Sequence, residues 1–264
     1  MTNASLPQSF RKAQKRGQLK AKIALYGASG SGKSYTALKI ASMLGKTAVL
    51  DTENGSSELY SDEFDFDIMP VSSYTTDTLT NAVKIATDNN YKVLIIDSYS
   101  HFWEGQDGLL QVQEAQTAAL KNDSRRAWQR IKPLEQAQKI ALINSNLHVI
   151  VTLRTKNNWE DVVDDRGRTK HKITGVKPIQ RENIEYEFSL VAHMTHSAED
   201  VNLAITKSRC SALHGKSCVN PDGQFFIPFF EWLGMKKNPN PSTIPATDIP
   251  QDDFNLESES LGVN

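Results

Sequence analysis

The sequence predicts an α/β fold, a mostly parallel sheet flanked by helices with antiparallel strands towards the C-terminal end, and three observations carry that prediction. Short apolar runs alternate with segments of helical periodicity through the first half of the chain, the order that sets crossover helices between parallel strands. A glycine-rich turn, GASGSGKS from Gly27 to Ser34, joins the first apolar run to the first helical segment. Later, EYEFSLVAHMTHS and VNLAITKSR read as two strands joined by a polar turn at Ala198, Glu199 and Asp200, which is hairpin spacing. At 264 residues, 39% of them hydrophobic, the chain is long enough for one such domain with appendages.

The elements follow in order. Residues 1–20 form a basic N-terminal segment: Arg11, Lys12, Lys15, Arg16 and Lys20, continued by Lys22, stand there without an acid. The domain occupies residues 21–235. KIALY (22–26), TAVLD (47–51), FDIMPV (66–71), YKVLIID (91–97) and HVIVTL (148–153) are its parallel strands, separated by helical segments near 33–44, 76–88 and 106–146. The last of these is expected to form two helices or one kinked helix, with the break at Lys132-Pro133, because proline disfavours helical geometry in the residue before it. WEDVVDDRGRTKHKI alternates polar and apolar residues around Asp165-Arg166-Gly167 and predicts a hairpin or a mobile loop. From residue 236 the composition turns to proline and acid, with Asp248, Asp252, Asp253, Glu257 and Glu259 and no base after Asp248, so residues 236–264 are expected to be a disordered acidic tail.

Composition narrows the function classes. No run approaches the roughly eighteen apolar residues of a membrane span, and the basic N-terminal segment lacks an apolar core like that of a secretion signal, so the expectation is a cytoplasmic protein. Two cysteines do not make a disulfide framework; Cys210, His214 and Cys218 recur every four residues but lack the paired spacing of a zinc site. A net charge of −1 with opposite charge at the two ends hints at nucleic acid or at a self-competing tail.

The glycine-rich turn carries the chemistry. GASGSGKS fits the P-loop pattern G-x-x-x-x-G-K-[ST], and it lies between strand and helix as that pattern requires. Gly27, Gly30 and Gly32 let backbone N–H groups turn inward around phosphates, and the helix N-terminus adds its positive dipole end. The nucleotide-binding set is Gly27, Ala28, Ser29, Gly30, Ser31, Gly32, Lys33, Ser34 and Tyr35, with Lys33 reaching the terminal phosphates of ATP. Ser34 is a candidate Mg²⁺ ligand. Asp97, a carboxylate at the end of the apolar strand VLIID, is the second, in the Walker B arrangement. AVLDTENGS places Asp51 and Glu53 where a carboxylate could orient the attacking water.

LDTENG is similar to the D-x-E segment of the RecA family of recombinases, and IIDSYSHFW resembles that family's Walker B strand. The resemblance implies that Glu53 is the catalytic base. ITKSRC is similar in placement to the cationic finger with which RecA-like subunits reach a neighbour's ATP, which implies that Lys207 and Arg209 act catalytically across a subunit interface in a homo-oligomer. More broadly, residues 20 to 234 resemble the phage-encoded RecA-like ATPases of the Sak single-strand-annealing type, through GASGSGKS, LDTENG, LIIDSYSHFW, LRTK, GVKPIQRENIEYEF and TKSRC. Where full recombinases place a Gln or Asn sensor of the γ-phosphate, this chain offers Thr152 and Arg154.

In RecA-like proteins the loop after that strand lines the DNA channel, and the matching region runs from Thr155 to Ile184. Arg166, Arg168, Lys170 and Lys172 suit phosphate contacts there, and Trp159 suits stacking on a base. The basic N-terminal segment is a second DNA candidate or a tether between subunits. The expected function is therefore an ATPase, DNA-stimulated, that binds single-stranded DNA in homologous recombination or strand annealing, in a bacterial host's cytoplasm if phage-encoded. The alternatives are an ATP-binding assembly module with negligible turnover and a nucleic-acid ATPase of the helicase-loader kind.

Overall fold

The computed structural model describes residues 19–163 and 169–235, with the side chains of Val162 and Val163 undescribed; the basic segment up to residue 18, the tail from 236, Arg166 and Arg168 lie outside the described residues. The first half runs β1 (Lys22–Gly27), α1 (Lys33–Ser42), β2 (Thr47–Asp51), β3 (Asp67–Pro70), α2 (Thr76–Asp88) and β4 (Val93–Asp97). Next come α3 (His101–Glu104), α4 (Leu109–Ala119), α5 (Ser124–Asn144) and β5 (His148–Leu153). The remainder is β6 (Thr155–Val163), β7 (Thr169–Pro178), β8 (Leu190–Ser197), β9 (Asp200–Ser208), β10 (Ser217–Val219) and α6 (Ile227–Trp232).

Eight strands form one sheet in the order β10-β9-β8-β1-β5-β4-β2-β3. All pairs from β8 to β3 are parallel, and β9 and β10 add antiparallel pairs at one edge. The central strands read as continuous apolar runs because both faces are covered: every residue of β4 and β5 is buried. Ile23 and Leu25 of β1 face a cluster with Leu38 and Ile40 of α1 and Phe229 of α6. Ala24 faces the opposite cluster, with Leu79 and Val83 of α2 and Leu142 of α5.

The helical region 106–146 does not break at Pro133. Pro133 lies inside α5, which is continuous over 21 residues. The carbonyl that proline leaves unpaired, four residues back at Gln129, is on the exposed side of the helix where water can satisfy it. The break falls instead at Lys121 and Asn122, both left-handed (φ 56° and 67°), followed by Asp123, whose side chain caps α5 by accepting from the N–H of Arg126. The region after β5 is a hairpin, β6 with β7, forming a separate two-stranded ribbon. EYEF does not begin a strand: Ile184–Glu187 is a 3₁₀ turn entered through Asn183 at φ 68°, and β8 starts at Leu190.

Lys22 secures the end of α5. Its ammonium, buried beneath the sheet's N-terminal edge, donates to the carbonyls of Leu142 (2.7 Å), Leu147 (2.9 Å) and Ser145 (3.1 Å) and to Ser145 Oγ (2.9 Å). Burial and the nearby Lys20 push its pKa down to about 7, while those four oxygens favour the charged form. Lys22→Ala strands helix-end carbonyls away from water, and a loss of about 1.5–3 kcal/mol in urea unfolding is expected. Close by, the Leu19 N–H donates to Leu233 O at 3.1 Å, so the two ends of the described fold meet.

Candidate functional site

The site residues come together because they end parallel strands that lie side by side. Leu25 pairs with Thr152, Ile96 with Val151, and Asp51 with Asp97, so the turns after β1, β5, β4 and β2 all open at the same C-terminal edge. After β1, Gly30 and Gly32 are left-handed (φ 74° and 81°), and a Cβ on Gly27 would stand 2.2 Å from Met194 O, so the turn is pressed against β8 as only glycine permits. Gly32 then caps α1, whose first residues are Lys33 and Ser34. Lys33 Nζ donates to Ala28 O at 2.7 Å; burial pushes its pKa down, and the carboxylates of Asp97 and Glu53 oppose that shift.

Asp97 is 2% exposed and held at both oxygens, with Oδ1 accepting from Thr152 Oγ1 at 2.5 Å and Oδ2 from Ser57 Oγ at 3.2 Å. Its neighbour Ser98 has the one buried side-chain oxygen without a hydrogen-bond partner among the described residues. Thr52 Oγ1 accepts from Ser98 N at 2.6 Å and lies 2.6 Å from His101 Nδ1, and the His101 ring stacks on Tyr74. Of these supporting residues only Thr152 was singled out from sequence; Thr52, Ser57, Ser98, His101 and Tyr74 were not, since a lone Thr, Ser, His or Tyr has no periodic signal.

The two acids after β2 differ. Asp51 is 1% exposed and accepts from the N–H groups of Glu53 (3.0 Å) and Gly55 (2.5 Å), so it shapes the turn. Glu53 projects from that turn into a two-pronged ion pair with Arg154: Nε to Oε1 at 3.0 Å and Nη2 to Oε2 at 2.6 Å. Thus the two sensor candidates each have a carboxylate partner, Thr152 on Asp97 and Arg154 on Glu53. Tyr35 turns towards residues 60–64, with its ring edge-on to Tyr60 and Phe64 and its hydroxyl donating to Glu63 at 2.7 Å.

These groups fit a magnesium–triphosphate ligand. The left-handed glycines at a helix N-terminus suit phosphate, while Ser34 and Asp97 are hard oxygen donors. Among the described residues no group of three or more His, Cys, Asp or Glu side chains could hold a metal ion, so Mg²⁺ would rely on phosphate and water oxygens besides those two.

Lys207 and Arg209 are not at this edge. β9 runs antiparallel to β8, and Lys207 lies four residues, about 13 Å, beyond the Leu203 that pairs with Met194 beside the glycine turn. Lys207 Nζ donates to Glu185 O (2.5 Å) and Phe188 O (2.7 Å), and Arg209 Nη2 to Tyr186 O (3.1 Å). Both cations therefore bind one turn at the far end of the sheet from their own P-loop.

The hairpin separates its two kinds of proposed DNA contact. Glu160 pairs with Lys172 and Lys156 with Lys177, and an extra residue at Thr174 keeps the two pairs in phase, so Lys156, Lys170, Lys172 and Lys177 share one face. Trp159 pairs with Ile173 on the other face, stacked on His171, with Val176 nearby in register; all three apolar side chains are exposed. The lysine face continues into a cavity of 480 Å³ lined in part by Lys156, Lys177, Arg181 and Lys207. No described helix is long and apolar enough to cross a membrane.

Residues 19–219 match the family described as an AAA domain. No curated protein matches the chain.

Proposed function

From the premise that this chain belongs to the AAA domain family and is an AAA-type P-loop nucleotide-binding domain, we propose that it is a RecA-like ATPase acting on single-stranded DNA, in recombination or strand annealing of the phage Sak type. The observation that carries this reading is the hairpin: a ribbon with four lysines on one face grows directly from the strand edge that holds Lys33, Asp97 and Glu53. Single-stranded nucleic acid is bound by such cationic tracks combined with exposed aromatic surface.

In this reading the backbone of Gly27 to Ser34 cradles the phosphates, Lys33 neutralises the terminal ones, and Ser34 with Asp97 holds Mg²⁺. When bound, the metal would supply positive charge that offsets the charge of the phosphates. Glu53 orients and deprotonates the attacking water. Lys207 and Arg209, remote from their own P-loop, serve the nucleotide of the next subunit in a homo-oligomer. The protein so read works in the cytoplasm of a bacterial host, its domain spanning 21–235 between a basic arm and an acidic tail.

The test is ATP turnover with and without single-stranded DNA, measured alongside annealing of complementary strands. Turnover indifferent to DNA, with no annealing, would leave an assembly module; stimulation without annealing would favour a loader-like ATPase. Neutralising Lys156, Lys170, Lys172 and Lys177 together is expected to weaken DNA binding and flatten its salt dependence by up to about three units, at about 0.7 per phosphate contact. Trp159, on the opposite face, is reached by a strand passing over the ribbon's edge; Trp159→Ala is expected to cost about 1–3 kcal/mol of stacking with the salt slope unchanged. A fourfold lysine variant with wild-type affinity and slope would move the DNA path to the basic segment 11–22.

A further inference from the structure

Thr52 stands between the two acids of the turn after β2, buried, with every polar group engaged. Its N–H donates to Asp97 O at 2.8 Å, and its carbonyl accepts from the Tyr74 hydroxyl at 3.3 Å. Its hydroxyl meets three partners: the Ser98 N–H (2.6 Å), the Ser98 carbonyl (3.1 Å) and His101 Nδ1 (2.6 Å). The residue beside Glu53 is thus bound to the stretch that begins at Asp97.

A hydroxyl has one proton and two lone pairs, and that count decides where the imidazole carries its hydrogen. The Ser98 N–H fills one lone pair, and the Ser98 carbonyl calls for the hydroxyl proton. Nδ1 is then the donor that fills the second lone pair. Were Nδ1 bare, the hydroxyl would turn its proton to the ring and desert the carbonyl. The buried ring is itself held in place: it stacks on Tyr74 with centroids 5.0 Å apart and 20° between planes, and Tyr74 is backed by Gly105, where a Cβ would stand 2.5 Å from the tyrosine ring. Glu53 Oε1 is 4.0 Å from Nδ1, beyond hydrogen-bond reach, so the ring acts on Thr52 rather than on the acid.

The place of this cluster in the sheet gives it a task. The ladder between β2 and β4 ends at the pair Asp51 and Asp97. Past that pair the spacing of the two turns is set by the bonds that meet at Thr52, one residue before Glu53, and Ser98, one residue after Asp97. We propose that His101 is a positioning residue: by donating from Nδ1 to Thr52 Oγ1 it ties the turn that carries Glu53 to the turn that follows Asp97, and so sets the distance between the base and the metal-binding carboxylate. The proposal rests on the reading of Glu53 as the base and Asp97 as a metal ligand.

The experiment joins imidazole NMR to hydrolysis, both on the full chain. Long-range ¹H–¹⁵N spectra in mildly alkaline buffer, where imidazole is neutral, should show the His101 hydrogen on Nδ1, the signal being assigned by its loss in His101→Asn. A hydrogen on Nε2 alone would overturn the proposal. His101→Ala is expected to lower kcat by about 10²-fold, the cost of a misplacement near 1 Å, with KM and the affinity for a fluorescent ATP analogue little changed. His101→Asn, whose amide N–H can stand where Nδ1–H stood, should regain most of that rate. Thr52→Val should match His101→Ala, Thr52→Ser the wild type, and Thr52→Val/His101→Ala should be no slower than either single variant, because the two residues act through one bond. His101→Asn as slow as His101→Ala would overturn positioning and leave the ring's own proton chemistry; a loss confined to KM, or an unchanged kcat in His101→Ala, would overturn it too. Circular dichroism checks folding, and if Thr52→Val does not fold, the spectrum and the two His101 variants decide. If Glu53→Gln turns over like the wild type, the reading of Glu53 fails and the proposal with it; if Glu53→Gln is slow and His101→Ala is not, the proposal alone fails.

Discussion

Glu53→Gln is expected to bind MgATP as tightly as the wild type and to hydrolyse it about 10²–10⁴-fold more slowly, the usual cost of losing a general base. The amide keeps the size and hydrogen-bonding reach of the carboxylate, and the turn that presents it is built by Asp51 through the N–H groups of Glu53 and Gly55 rather than by the Glu53 side chain. What changes is the ability to take a proton and, with the charge, the two-pronged pair with Arg154. Single-turnover hydrolysis separates this from a binding defect, and wild-type rates in that assay would move the base elsewhere. Asp51→Asn should act differently, by loosening the turn, because both of its oxygens are already accepting from backbone.

Lys33→Ala is expected to act on binding itself. The Lys33 ammonium stands at the start of α1 under the influence of Asp97 and Glu53, so the variant removes the one P-loop cation and leaves two carboxylates facing the incoming phosphates. A charge-assisted hydrogen bond contributes about 1.5–3 kcal/mol, so nucleotide affinity should fall by about 10- to 150-fold. Turnover should fall further, by about 10²–10³-fold when saturation is reached, since charge developing in the transition state loses its partner. Titration with a fluorescent ATP analogue checks the first effect, and unchanged affinity in a folded variant would remove the phosphate-cradle assignment.

How much of this was legible beforehand depended on what kind of signal each feature leaves. The parallel strands were readable nearly to the residue because strands buried on both faces are uninterrupted apolar runs, as in HVIVTL and VLIID. GASGSGKS was readable because its glycines answer a local backbone demand. Pro133 misled because the damage a proline does depends on whether its stranded carbonyl meets water, which is a property of the helix's orientation in the fold. The true break carried a local sign, Asp123 as helix cap, that competed with the stronger-looking proline. The bond between Glu53 and Arg154 joins residues 101 positions apart and has no local signature at all. The division of the hairpin into a lysine face and a tryptophan face required the register, and one extra residue at Thr174 decides it.

The bond between Leu19 and Leu233 makes the fold, traced from one to the other, nearly a closed circuit. The gap in that circuit lies just before β1 begins, on the side of the sheet away from the P-loop. Whatever is joined to either end of the domain therefore departs from a single locus at the back of the molecule. The strand edge that gathers Lys33, Glu53 and Asp97, and the ribbon rising from it, lie at the other end of β1 from that locus, so a short linker closing residues 19 and 233 in a circular permutant would leave that front untouched.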